Sequence, residues 1–130
     1  MKEVIVCCAI IREGNRVLIA RRSAKMSMPH LWEFPGGKLE QNEKPEDCLI
    51  REISEELNIL IGNLQFLGDF YHDYPTFRIR LQAFEAKLIQ GNPSVNEHEE
   101  LRWVHKDQLK DFKFTEADVP IVDLVCLKSV

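Results

Sequence analysis

The stretch from Gly36 to Ile59, GGKLEQNEKPEDCLIREISEELNI, indicates most about the fold of this 130-residue chain. It places two adjacent glycines before a helix that we predict to run from Pro45 to about Leu57. Proline suits the first position of a helix, and the two acidic residues directly after it lie near the positive end of the helix dipole. Asn58 can adopt the left-handed conformation that ends a helix. The sequence therefore predicts a glycine-containing loop that leads into a helix.

One face of this helix is apolar and the neighbouring face is acidic. At about 100° per residue, Leu49, Ile50, Ile53 and Leu57 form the apolar arc, and Glu52, Glu55 and Glu56 form the acidic one. Carboxylates four residues apart repel each other, and Arg51 can relieve only part of that repulsion. Carboxylate oxygens suit Mg²⁺ or Mn²⁺, and a glycine backbone can approach such an ion closely. The alternative for an acidic run of this kind is a solvated helix face.

The composition fits a small enzyme with no general affinity for nucleic acid polymers, because the formal charge is −4. The apolar run Val4 to Ile11 is too short to span a membrane and lacks a cleavage-site pattern. The four cysteines form no disulfide framework and show no zinc-ligand spacing with the four histidines. We expect a single cytoplasmic domain over residues 1–130, either a monomer or a homodimer.

Strands and helices alternate in the rest of the chain. The predicted strands are Val4–Arg12, Arg16–Ala20, Leu64–Tyr74, Phe77–Leu88 and Leu101–Val104, and the predicted helical segments are Lys106–Asp111 and Thr115–Leu127. This alternation indicates an α/β protein of the α+β type with a mixed sheet, but it does not give the strand order.

The spacing within the glycine–helix stretch resembles the Nudix box, the signature of hydrolases that cleave nucleoside diphosphates linked to another group. Five residues separate Gly37 from Glu43, and seven more precede the pair Arg51-Glu52. Asn58 departs from the glycine that the pattern usually has at this position, and asparagine is the mildest replacement for it.

Three further segments resemble the MutT branch of the Nudix family. They are Arg21-Arg22, LWEFPGGK at residues 31–38, and FTEADVP at residues 114–120. The resemblance implies a Nudix α/β/α sandwich with a mixed β-sheet. It also implies hydrolysis of nucleoside triphosphates, including oxidised ones such as 8-oxo-dGTP, to a monophosphate and pyrophosphate, with Mg²⁺ or alternatively Mn²⁺ as cofactor.

The same resemblance implies a set of metal ligands. These are the main chain of Gly36 or Gly37 and the carboxylates of Glu52, Glu55, Glu56 and Glu97. Glu97 could instead be an ordinary loop acid. Arg51 belongs to the catalytic group in a supporting role, because it can hold a carboxylate through charge-assisted hydrogen bonds. The general base would be Glu52 or Glu97.

Substrate contacts are implied for four residues. Arg22 and Lys38 would bind the phosphates. Strand alternation sends Arg21 and Arg22 to opposite faces, so at most one of these two arginines would reach the substrate. Phe34 could stack on the base or belong to the core. Asp118 could recognise the base, protonated if buried, or cap the final helix. Aspartate occurs at this position in CTP pyrophosphohydrolases, whereas the best-known 8-oxo-dGTP enzyme has asparagine, so oxidised purine and cytidine triphosphates both remain open.

Two other functions are alternatives to a MutT-like diphosphatase. One is a Nudix hydrolase of another diphosphate, such as ADP-ribose or a dinucleotide polyphosphate, although such enzymes often carry an extra segment for which this chain has no evident room. The other is a noncatalytic nucleotide-binding module, which usually loses a carboxylate of the box. All of those carboxylates are present here.

Overall fold

A computed structural model describes residues 2–127 and shows a seven-stranded mixed sheet with a helix on each face. The strands are β1 (Lys2–Glu13), β2 (Arg16–Arg21), β3 (Trp32–Glu33), β4 (Gly36–Lys38), β5 (Leu60–Tyr74), β6 (Phe77–Gln90) and β7 (Glu100–His105). The helices are α1 (Pro45–Leu57) and α2 (Val119–Leu127), and two 3₁₀ turns cover Lys106–Asp111 and Glu116–Asp118. Neither helix is long and apolar enough, within the described residues, to cross a membrane.

The sheet has the order β3-β2-β1-β6-β5, with β4 paired to β1 and β7 paired to β2. The central strands β1 and β6 run parallel from the pair Lys2–Phe77 to the pair Arg12–Lys87, and the other pairs are antiparallel. The short strand β4 lies against the middle of β1, where Gly36 is opposite Cys8 and Gly37 is opposite Cys7. The two glycines are therefore held by the centre of the sheet.

Alternate residues of β1 enter two separate cores. Cys7, Ala9 and Ile11 pack with the apolar side of α1, whereas Cys8 and Ile10 pack with α2. This is the period-two alternation expected for a strand that is covered on both faces. The predicted α/β/α sandwich is confirmed.

The predicted limits of α1 are confirmed at both ends. Lys44 is extended, Pro45 begins the helix, and Asn58 ends it in the left-handed region with φ 59° and ψ 36°. Cys48, Leu49, Ile53 and Leu57 are its buried residues. The helix is thus fixed to the sheet along one side and presents its carboxylates beside that contact.

Two predicted boundaries were wrong by four residues each, whereas the other predicted strands differ from the structure by no more than two residues at either end. The final α-helix begins at Val119 and not at Thr115, because Pro120 has no N–H to bond the carbonyl of Glu116, and the preceding turn is 3₁₀. Strand β5 begins at Leu60 and not at Leu64. The first four residues of the strand, 60–63, include Asn63, whose φ is 52°. The pairing of β5 with β6 accommodates this residue through a register shift between Gly62 and Gln65.

Candidate active site

Arg51 organises the acidic face of α1. Its Nε and Nη2 donate to the two oxygens of Glu43 at 2.8 and 3.0 Å, and its Nη1 donates to Glu52 Oε1 at 3.0 Å. Glu55 Oε2 lies 3.5 Å from the same Nη1. The hydrogen bonds from Arg51 lower the pKa of Glu43 to about 2, so that carboxylate stays ionised and keeps the guanidinium in place. Arg51 therefore holds both Glu43 and Glu52, and its supporting role in the reaction stays a prediction.

Glu52 lies directly over the glycine strand. A Cβ atom added at Gly37 would overlap the carboxyl group of Glu52, so only glycine leaves room for that side chain. The thiol of Cys48 points at the carbonyl oxygens of Gly37 and Lys38, at 3.9 and 3.5 Å. Strand β4 and helix α1 are therefore in close contact at the predicted metal site.

Glu56 carries a buried carboxylate oxygen on the acidic face of α1. Its Oε2 is buried and has no hydrogen-bond partner among residues 2–127. Its pKa is raised to about 7, chiefly by burial; His98 acts to lower it, and Glu52, Glu33 and Glu97 act to raise it. A bound cation would stabilise the ionised form of such a buried carboxylate without a hydrogen-bond partner.

A cavity of about 240 Å³ joins the acidic residues to an apolar wall. Part of its lining consists of the glycines and of charged or polar side chains, namely Gly36, Gly37, Lys38, Glu56, Arg22, Glu33 and His98. The rest of its lining is mostly apolar and consists of Val6, Cys8, Met26, Met28, Phe34, Tyr74, Phe77, Ile79, Leu81, Thr115, Ala117 and Asp118. The volume is slightly below the roughly 300–1,000 Å³ of typical ligand sites, which suits one part of a nucleotide such as its base. Phe34 is both a cavity residue and a core residue, because its ring packs 5.3 Å from that of Phe114.

Asp118 lies at the apolar wall as a buried carboxyl group. It accepts a hydrogen bond of 2.7 Å from the backbone N–H of Phe34 and another from the side chain of Thr115. Burial and the nearby Glu33 raise its pKa to about 7, against the effect of these two donors. Near neutral pH it can therefore present either two acceptors or a donor and an acceptor.

Replacing Asp118 with asparagine should make the protein more stable at high pH and change little at low pH. A carboxyl group whose pKa is raised in the folded state destabilises the fold when it ionises in the unfolded state. This penalty is absent below the ordinary pKa and grows as the pH rises toward the raised pKa of the folded state. At 1.36 kcal/mol per pKa unit, the variant should gain roughly 2–4 kcal/mol over the wild type between about pH 4 and about pH 8. Urea unfolding at both pH values measures this difference, and a gain independent of pH would contradict the raised pKa.

Arg22 and Arg21 occupy different surroundings, as strand alternation predicts. Arg22 lines the cavity, but its Nη1 binds Glu33 at 2.9 Å and its Nη2 binds the hydroxyl of Ser27 at 2.9 Å. Arg21 lies over the ring of Trp32 and contacts Glu99 at 3.2 Å. A phosphate would therefore have to compete with existing partners for Arg22, whereas Lys38 is exposed at the cavity.

Glu97 is exposed in the loop before β7 and does not line the cavity. It is close enough to Glu56 to raise the pKa of that residue. Within residues 2–127, no three carboxylate, imidazole or thiol groups already converge as a finished metal centre. The oxygen ligands and the unpartnered Glu56 oxygen nevertheless suit a hard divalent ion that is shared with substrate phosphates.

His98 and Glu33 also line this cavity, although neither was predicted as a site residue. His98 Nε2 donates to Glu33 Oε2 at 2.8 Å, and its Nδ1 is buried with no partner in the described part of the chain. The signal that could have identified His98 is its position next to Glu97 in a loop that is otherwise polar.

The chain is similar to known proteins along most of its length. The family model described as a NUDIX domain matches residues 1–125. A CTP pyrophosphohydrolase of Escherichia coli (strain K12) is 30% identical over 123 residues, which cover 95% of this chain and 91% of that protein. An 8-oxo-dGTP diphosphatase of the same organism is 31% identical over 123 residues, which cover 94% of this chain and 95% of that protein.

The crystal structure of a MutT NUDIX hydrolase from Burkholderia pseudomallei has the same fold. Its TM-score is 0.86 at 26% sequence identity, and the match covers 95% of this chain and 98% of that chain. The family match and this structure agree with the Nudix sandwich fold described above. The chain belongs to the Nudix family and is a Nudix hydrolase of the MutT-like branch.

Proposed function

We propose that this protein hydrolyses nucleoside triphosphates to a nucleoside monophosphate and pyrophosphate, with the base in the cavity and the phosphates at α1. The observation that carries the proposal is that Glu56 and the glycine strand line the same cavity as Phe34 and Asp118. A nucleotide placed with its base against the apolar wall would extend its phosphates toward the acidic helix. Two relatives that cover nearly the whole chain are named for triphosphate substrates of this kind.

Nudix hydrolases generally depend on divalent metal ions. In this chain, we propose that the carboxylates of Glu52, Glu55, Glu56 and Glu97 and the main chain of Gly36 or Gly37 hold Mg²⁺, with Mn²⁺ as a possible substitute. When bound, the ions neutralise the charge of the triphosphate and polarise its phosphorus–oxygen bonds. The unpartnered oxygen of Glu56 and the position of Glu52 over Gly37 support this assignment.

The protein residues have separate tasks in the proposed reaction. Arg51 fixes Glu52 through a hydrogen bond to one carboxylate oxygen, and Lys38 and Arg22 bind phosphate oxygens. A glutamate takes the proton of the attacking water, and Glu52 and Glu97 are the two candidates. The water attacks the β-phosphorus and the nucleoside monophosphate leaves. Hydrolysis in ¹⁸O-water should therefore place the label in pyrophosphate, and label in the monophosphate would contradict this step.

The base preference rests on Asp118. Ionised, it accepts hydrogen bonds from the amino group of cytosine or guanine; protonated, it also donates one. We expect a kinetic panel of CTP, dCTP, a 5-substituted dCTP, dGTP and 8-oxo-dGTP to show at least one substrate about tenfold better than the rest in kcat/KM. The reaction should require Mg²⁺ and release pyrophosphate.

Asp118→Asn is the matched variant for the panel, because it alters the hydrogen-bonding pattern and preserves the shape. It should shift the ratio of the cytidine to the oxidised guanosine substrates by about tenfold. Equal and slow turnover of the whole panel would contradict the assignment, and ADP-ribose and a dinucleotide polyphosphate then become the substrates to measure. Binding of these nucleotides without any pyrophosphate release would indicate a noncatalytic module.

A further inference from the structure

The loop that carries Glu97 has one buried anchor. From Ser94 to Glu99 every side chain is exposed except that of His98, which is only 3% accessible. An exposed loop residue is free to move unless a neighbouring contact fixes the backbone. Backbone hydrogen bonds from Ser94 to Leu57 and from Glu99 to Arg21, each 3.0 Å long, hold the two ends of the loop. Between these ends, the buried imidazole of His98 is the side-chain anchor directly next to Glu97.

That imidazole is held by Glu33, which stands on the sheet. Strand β3 is paired to β2 through Ala20 opposite Glu33 and Arg21 opposite Trp32. Glu33 Oε2 accepts from His98 Nε2 at 2.8 Å, and Glu33 Oε1 accepts from Arg22 Nη1 at 2.9 Å. The carboxylate is thus fixed from two sides, and it connects the loop of Glu97 to the loop that Arg22 fixes through Ser27.

We propose that His98 is a positioning residue, which through its hydrogen bond to Glu33 sets the place of Glu97 relative to the acidic face of α1. The proposal deepens the proposed function, on which it rests, and does not make His98 a catalytic residue. Its support is the burial of the imidazole, the 2.8 Å contact to a carboxylate on the sheet, and the electrostatic effect of both Glu97 and His98 on Glu56.

Two substitutions of His98 distinguish an effect of its hydrogen bond to Glu33 from an effect of side-chain packing alone. His98→Gln places an amide nitrogen near the position of Nε2 and can still donate to Glu33, whereas His98→Asn is too short to do so. Losing a residue that orients a ligand typically costs about 10–100-fold in activity or metal affinity. We expect that loss in kcat and in Mn²⁺ affinity for His98→Asn, and recovery of most of it in His98→Gln.

A double-mutant cycle with Glu97→Gln tests whether His98 acts through Glu97. Glu97→Gln should lower kcat in the wild type and have almost no further effect in the His98→Asn background. A cycle with His30→Asn is the matched control, because His30 is exposed and contacts Glu99 of the same loop. That control cycle should be additive.

The outcomes distinguish this proposal from the proposed function. Absence of Mg²⁺-dependent pyrophosphate release by the wild type would overturn the function itself. An active wild type with additive effects of His98→Asn and Glu97→Gln, or with His98→Gln as defective as His98→Asn, would overturn the positioning role alone. If His98→Asn does not fold in a thermal unfolding assay, Glu33→Leu takes its place in the cycle, because leucine has no oxygen to accept from His98 Nε2, and the same loss of the Glu97 effect is expected.

Discussion

Replacing Glu56 with glutamine should lower kcat by about 10²–10³-fold, the loss that follows removal of one electrostatic stabiliser from an active site. Glu56 lines the cavity and its buried Oε2 has no partner among residues 2–127. Glutamine preserves the shape of the side chain but cannot supply negative charge to a cation. The affinity for Mn²⁺ should fall together with kcat. Titration calorimetry without substrate measures this affinity.

The same variant should gain stability, since activity and stability place opposite demands on this residue. Burial raises the pKa of Glu56 to about 7, so its ionisation costs folding free energy that grows as the pH rises from the ordinary value toward 7. The melting temperature of the metal-free variant should exceed that of the wild type above about pH 7 and match it below about pH 4.

Glu46→Gln is the control for this experiment, because it removes the same charge from an exposed position in the first turn of the same helix. Its kcat should equal that of the wild type. Full activity of Glu56→Gln would show that the acidic face of α1 does not gather the cation.

Gly37→Ala should reduce kcat by about 10²-fold and leave the melting temperature nearly unchanged. The added methyl group would overlap the carboxyl group of Glu52, which is the flexible end of a side chain and can rotate away. That rotation breaks the 3.0 Å contact with Arg51 and moves a proposed metal ligand, and a displacement of about 1 Å can cost about 10²-fold in rate.

Gly36→Ala is the matched variant, because its methyl group would overlap the backbone of β1 at Cys7 and Cys8, which cannot move aside. It should lose about 1–3 kcal/mol of stability through overpacking. Urea unfolding should therefore show a loss of stability in Gly36→Ala, whereas Gly37→Ala should lose rate in steady-state kinetics without that loss of stability. A Gly37→Ala enzyme with normal kcat would mean that the position of Glu52 is unimportant.

The parts of this protein that follow from local chemistry could be predicted from the sequence. Pro45 and Asn58 define α1 within one residue of the structure, because proline and a left-handed asparagine act through the backbone alone. The acidic arc follows from helical geometry in the same way. The presence of both Gly36 and Gly37 is explained by contacts with residues that are distant in sequence, so their separate roles required the structure.

The environment of His98 and Arg22 could not be predicted in this way. A histidine between two glutamates reads as a surface residue, and its burial depends on Glu33, which is 65 residues away. Arg22 reads as a free phosphate ligand, yet Glu33 and Ser27 already bind its guanidinium. Both cases concern which side chains meet after the strands have paired, and periodicity carries no information about that.

The thiols that β1 and α1 place in the two cores have little reactivity toward oxidants. Burial raises the pKa of Cys7 to about 11 and raises those of Cys8 and Cys48 well above their ordinary value. Peroxides attack the thiolate, which is scarce at neutral pH when the pKa is this high. We therefore expect these three buried sulfur atoms to stay reduced under conditions that oxidise guanine nucleotides, and the packing around them to stay intact.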